Sequence, residues 1–113
     1  MRKSTSENVT VTLLRPWFIY MVRTATGLLY TGISTDPMRR LGQHQRGKGA
    51  RALRGKGPLQ LVWQQQVSDQ RTALRLEYQL KRQPKAFKEQ LVQYPTLWQE
   101  RDLATTLLCS ITQ

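Results

Sequence analysis

Acidic side chains are scarce in this chain. Seven Asp and Glu stand against 18 Lys and Arg among 113 residues, a formal charge of +11. So few carboxylates argue against a two-metal centre built from several acids. A single cysteine, Cys109, excludes an internal disulfide and a cysteine-built zinc site, and is read as packing in the C-terminal segment. No apolar run is long enough to span a bilayer. The N-terminal stretch starts basic but has neither a continuous apolar core nor a small-residue cleavage site, unlike a signal peptide. The expected location is cytoplasmic, with association with the nucleoid left open. The length fits one domain with one modest core, and no internal repeat or linker divides it.

What the chain does have is clustered positive charge. Arg39, Arg40, Arg46, Lys48, Arg51, Arg54 and Lys56 fall in one segment that contains no acid. Uncompensated like charges repel one another unless a polyanion neutralises them. Nucleic acid is the expected partner, DNA first and RNA second. A lipid surface is disfavoured because no bulky amphipathic anchor accompanies the run. The same region contains glycines that would let a phosphate backbone approach closely. GQHQRGK, residues 42–48, imitates the first part of a P-loop, but Gly49 stands where Ser or Thr is needed. The match also follows an expected helix instead of opening one.

Residues 18–32, FIYMVRTATGLLYTG, read as a β-hairpin. Ala25-Thr26-Gly27 makes a three-residue loop whose last position suits glycine in the left-handed region. That register pairs Thr24 with Leu28, Val22 with Tyr30 and Tyr20 with Gly32. Tyr20 and Tyr30 then share a face, diagonal to each other. A two-residue loop would put them on opposite faces. Gly32, opposite Tyr20, is expected to leave room for a ligand.

The rest of the chain follows local signals. Residues 1–15 read as a flexible tail ending in an edge strand. Strands are expected over 17–24, 28–33 and 59–67, with Leu59, Leu61 and Trp63 alternating on one face. Asp36 or Thr35 caps a first helix with Pro37 at its start, ending near Gly47. Met38, Leu41 and Gln45 are expected to face inward. A short helical turn covers 50–53. Ser68 and Asp69 cap a helix over 70–83, a basic helix covers 84–92, and Thr96 caps one last apolar helix. The expected architecture is α+β, a small three-stranded antiparallel sheet flanked by helices in the order β-β-α-β-α-α. The expected division is a tail (1–15), a main α+β domain (16–93) and a C-terminal helical extension (94–113). That extension is apolar enough to pack on the domain or to form a homodimer.

Five side chains are candidates for chemistry. Glu77 lies on the apolar stripe of its helix with Ala73, Leu76 and Leu80, where an unpaired carboxylate is costly. An internal salt bridge or a metal ligand would both explain it. One carboxylate with waters and a substrate phosphate suits Mg²⁺. Arg40 and His44 are four apart and share a helix face. A phenol is a weak base, with a reference pKa of about 10. A cation beside Tyr20 or Tyr30 would lower it. Arg40 could do so, or neutralise charge on a phosphate. His44 could relay a proton or orient a phenol.

This set resembles the GIY-YIG nuclease superfamily. FIY at 18–20 and YTG at 30–32 stand for its two triplets, with Phe18 in place of glycine and Thr31 in place of isoleucine. Arg40 follows ten positions after Tyr30, His44 four later, and Glu77 stands 47 after Tyr30, as in the family pattern. The blocks YTGISTDPMRRLGQH, GKGARALRGKG and ALRLEYQLK are closest to small stand-alone bacterial members. An asparagine that many members have after the glutamate is missing, since Asn8 is the only one. The resemblance implies metal-dependent hydrolysis of DNA phosphodiesters. Tyr20 or Tyr30 would be the general base, Arg40 the phosphate stabiliser, His44 a proton partner and Glu77 the Mg²⁺ ligand. Arg39, Arg46, Lys48, Arg51, Arg54 and Lys56 are the expected nucleic-acid contacts.

Overall fold

A three-residue turn sets the register of the sheet. In the computed structural model, which describes residues 16–111, Gly27 adopts φ +93°. Its N–H donates to Thr24 O at 2.9 Å, and Thr24 N–H donates to Leu28 O at 2.9 Å. The turn joins β1 (Trp17–Arg23) to β2 (Leu29–Ser34). Val22 pairs with Tyr30 and Tyr20 with Gly32, the register expected of the odd loop. A third strand, β3 (Gln60–Val67), pairs antiparallel to β1 on its other side. The sheet order is therefore β2-β1-β3, with β2 at an edge. The tail expected over 1–15 lies outside the described residues.

The helices are α1 (Pro37–Gln45), α2 (Gln70–Lys81), α3 (Lys85–Gln93), α4 (Leu97–Glu100) and α5 (Leu103–Ile111), with a 3₁₀ turn at Arg51–Leu53. The fold is α+β. Asp36 caps α1 by accepting from Arg39 N–H, and Asp69 caps α2 by accepting from Thr72 N–H. The apolar stripe of α1 differs from expectation. Pro37, Leu41 and His44 face inward, while Met38 is 61% exposed and Gln45 is exposed. The single last helix is in fact two, α4 and α5. They break at Asp102, whose φ of +46° is a left-handed conformation that Asp tolerates better than most residues.

Both sheet faces are covered. Ile19 and Met21 join Trp63, Leu76, Leu80, Leu91, Trp98 and Leu107 in the larger cluster. Tyr20 and Val22 join Leu41, Leu53 and Leu59, with Tyr30, Ala50 and Leu61 beside them, in the smaller one. The expected single face for Leu59, Leu61 and Trp63 does not form. The register slips between Met21 and Val22, so Met21 faces Trp63 while Val22 faces Leu61. The extra residue, Val62, is a bulge that sends Leu61 and Trp63 to opposite faces. Trp98 and Leu107 of the C-terminal segment are buried in the same cluster as Ile19, so that segment packs on its own domain. Cys109 is exposed. Among the described residues, no helix is long and apolar enough to cross a membrane.

Candidate active site

The sheet face opposite the larger cluster carries both phenols. Tyr20 is 1% exposed, and Tyr30 is half-buried. The expected ligand space at Gly32 is already filled. A Cβ built there would stand 2.6 Å from the Tyr20 hydroxyl and 3.1 Å from Tyr30 Cε2. Gly32 is therefore what lets Tyr20 lie across β2 and point its hydroxyl toward the sheet edge.

That hydroxyl meets His44. Tyr20 Oη and His44 Nε2 are 2.9 Å apart. At the other side of the ring, Ala50 N–H donates to His44 Nδ1 at 3.0 Å. Nδ1 is thus an acceptor, and the neutral ring carries its proton on Nε2. His44 Nε2–H therefore donates to the Tyr20 oxygen. Burial, then the charge of Arg40, holds the His44 pKa below its ordinary value, which favours this neutral form. Gly49 makes the arrangement sterically possible, because any Cβ at that position would overlap the His44 ring. The Tyr30 ring meets the His44 ring edge-on, with centroids 5.5 Å apart.

The charged partners come from both sides of the edge. Arg40, on α1, is half-buried and donates to Gln43 Oε1 at 2.7 Å. Glu77 and Lys81 belong to α2, which packs mainly on the other sheet face but runs beside the edge strand β2. The Glu77 side chain is 18% exposed, with Lys81 Nζ 3.4 Å from its carboxylate. Lys81 Nζ also stands 6.0 Å from the Tyr30 ring centroid.

The Tyr20 phenol is pushed up to about 12, first by burial and then by the Tyr30 charge. Arg40 pulls the other way, and Glu77 adds a smaller upward push. The expected lowering by a neighbouring cation is present, but desolvation outweighs the guanidinium and the net shift is upward. Lys81 connects Glu77 to Tyr30, the His44 ring touches both phenols, and Arg40 lies one helical turn before His44. Tyr20, Tyr30, Arg40, His44 and Glu77 thus gather at one sheet edge. Among the described residues, no group of three or more His, Cys, Asp or Glu is arranged to hold a metal. Glu77 is the acid at the site. Mg²⁺ is usually held by one or two carboxylates with waters and substrate phosphates, and this donor set fits that mode.

The six further cations expected to contact nucleic acid are all exposed. Among the described residues, none of them is in an ion pair. Arg39 and Arg40 border a small polar depression of about 50 Å³ with Ser34, Thr35, Asp36 and Gln43. Three contributors escaped the sequence reading. Gly49 and the Ala50 N–H gave no chemical signal, although both lie just past His44. Lys81 was visible as the residue one helical turn beyond Glu77.

A fold with two strand tyrosines, a helical arginine and histidine, and a glutamate on the next long helix is that of the GIY-YIG catalytic domain. The family model of that description matches residues 16–90, and the chain belongs to this family. Its relatives include bacterial proteins named UPF0213. It is 74% identical to one from Aeromonas hydrophila over 82 residues, covering 73% of this chain and 60% of the relative. The match therefore spans less than two thirds of that relative's length. It is 54% identical to one from Yersinia pseudotuberculosis over 94 residues, covering 83% of this chain and 95% of the relative. A UPF0213 protein from Bacillus halodurans, solved by NMR, is 38% identical over 69% of this chain and 83% of its own, with a TM-score of 0.45.

Proposed function

We propose that this protein is a metal-dependent endonuclease that hydrolyses DNA phosphodiester bonds. The observation that carries the reading is the convergence of Arg40, Glu77 and the His44-bound Tyr20 hydroxyl at the β2 edge, beside an unpaired cationic surface. The scissile phosphate sits between Arg40 and Glu77. Arg40 offsets the negative charge that grows on the phosphoryl oxygens. Glu77 would hold a divalent ion such as Mg²⁺, which commonly binds through one or two carboxylates. When bound, the ion supplies Lewis-acid polarisation of the phosphate.

Water adds to phosphorus, one P–O ester bond breaks, the proton lost by water goes to a phenolate oxygen, and the departing ester oxygen takes a proton from solvent to leave as an alcohol. Tyr20 is the better placed acceptor. Its oxygen already receives a hydrogen bond from His44, which stabilises the phenolate and leaves its own proton free to depart. His44 is then a positioning residue, not the proton's destination. Its Nδ1 lone pair is engaged by Ala50 and its Nε2 already carries hydrogen.

The test is cleavage of single-stranded and duplex DNA with Mg²⁺ by wild type and Glu77→Ala. The reading expects cleavage by wild type and at least about 100-fold less by the variant, with binding retained. Binding without cleavage of any DNA or RNA by wild type would overturn it. That outcome would favour a second reading, a nucleic-acid-binding accessory module with little or no turnover. The raised Tyr20 pKa and the single carboxylate speak for that alternative.

A further inference from the structure

A groove of about 270 Å³ adjoins the site at the hairpin end of β2. Leu28, Ala52 and Leu53 form apolar walls, and Lys56 stands at its rim. Tyr30 lines the groove and also meets His44, so the groove and the proposed active site share one side chain. Leu28 is 52% exposed, so its side chain is open to a ligand in the groove.

We propose that this groove binds one unpaired nucleobase of the strand whose phosphate occupies the active site. The inference rests on the nuclease reading and names its substrate class. A nucleotide is an anionic phosphate joined to a flat, largely apolar ring a few ångströms away. The edge presents matching surfaces in that order, Arg40 and Glu77 first, then Tyr30, then the leucine-walled groove. The volume lies near the lower end of small-ligand pockets, roughly 300 Å³, so a single base suits it better than a larger group. A base inside a duplex is stacked on both faces and cannot enter. The ligand is a base of a single strand, or one extruded from a duplex. Lys56 is placed to meet the phosphate that follows the base.

The test is binding by the full chain in metal-free buffer, so that cleavage cannot erode the reading. The probes are an oligothymidylate and an abasic strand of the same length, which carry the same phosphates. Wild type should bind the oligothymidylate about tenfold more tightly, the scale of one stacked base. Leu28→Ser should reduce that preference to about twofold by weakening only the base-bearing strand. Leu28→Met should keep it. Lys56→Gln should weaken both strands alike. A duplex with one unpaired thymine separates the two sources of the base. A Leu28-dependent preference for it over a fully paired duplex assigns the extruded form, and its absence assigns the single strand. Equal binding of the two single strands by wild type, or a preference that survives Leu28→Ser, would overturn the proposal. Loss of the nuclease reading shows separately, as an absence of cleavage with Mg²⁺.

Discussion

Consecutive residues of β1 serve two different kinds of interior. Ile19 and Met21 point into a cluster of leucines and tryptophans supplied by β3, α2, α3, α4 and α5. Tyr20 and Val22 point the other way, where Tyr20 is as buried as its neighbours yet ends in a hydroxyl. Burial on the first face is stabilised by hydrocarbon contact. On the second it is tolerable only because the phenol, the imidazole and the Ala50 N–H form a continuous hydrogen-bonded chain. One strand thus contributes to a site on one face and to a core on the other.

The sharpest way to break this comparison is to remove one group from each face. Arg40→Ala and Glu77→Ala should each lower cleavage by about 100-fold or more, the scale for losing a transition-state stabiliser. Thermal unfolding should barely move, since neither belongs to an apolar cluster. Leu80→Ala should do the reverse. It should cost about 2–5 kcal/mol of stability while leaving the rate of the remaining folded protein nearly unchanged. Denaturant melts and a cleavage assay at low temperature read both. A Leu80→Ala protein that is stable but inactive would show that the two faces are not separable.

Next in size is Gly32→Ala. The new Cβ would fall 2.6 Å from the Tyr20 hydroxyl, so ring or strand must shift. We expect a stability loss of about 1–3 kcal/mol, typical of overpacking, together with weakened catalysis. Gly27→Ala is the comparison variant. No atom stands within 4 Å of its Cβ position, and its cost comes from φ +93° alone. Equal catalytic loss in both would mean that Gly32 serves only the backbone.

A smaller effect, about tenfold per pH unit, should appear in the pH profile. With Tyr20 pushed up to about 12, its phenolate is a minor species that grows tenfold for each unit between about pH 7 and 10. Cleavage should climb with that slope and reach no plateau in the window. A plateau would assign proton uptake to another group. His44 acts on the acid side. Its folded pKa lies below 6.5, so the unfolded chain takes up the proton first as pH falls. Stability is whole above about pH 6.5 and declines below it until the folded ring is itself protonated.

Much of this face was legible from residue types. Gly27 at the end of an odd loop dictates the register, and the register puts both tyrosines on one side. The spacing of Arg40 and His44 follows from one helical turn. Glu77 stood out as a carboxylate on an apolar stripe. What stayed hidden depends on three-dimensional contact. The β3 bulge is invisible because LQLVW alternates well enough without it. Gly32 could be read as open space only until the Tyr20 ring was seen to fill it. The sign of the Tyr20 shift needed burial, which outweighs a nearby arginine that sequence can count. The break at Asp102 has no apolar signature, since leucines continue on both sides.

The smallest expected effect concerns the hairpin tip, where the two regions meet. Arg23 forms two bonds of 2.8 Å to the Glu89 carboxylate on α3. Lys85 Nζ donates to the carbonyl of Gly27 at 3.1 Å, and Arg23 reaches the same oxygen at 3.4 Å. These contacts tie the turn that sets the tyrosine register to a helix of the apolar side. The pair is about a third exposed, so solvent screens it, and Arg23→Ala should cost less than about 1 kcal/mol. Hydrogen bonding to Arg23 holds Glu89 below its ordinary pKa of 4.5. The contribution is therefore whole above that value and disappears as pH falls through the folded pKa. The difference in stability between wild type and Arg23→Ala should shrink on acidification and weaken with salt. Cleavage at neutral pH should be unchanged, because the turn is already closed by its own backbone bonds and by Gly27. A marked loss of activity in this variant would mean that the register depends on the helix clamp and not on the turn.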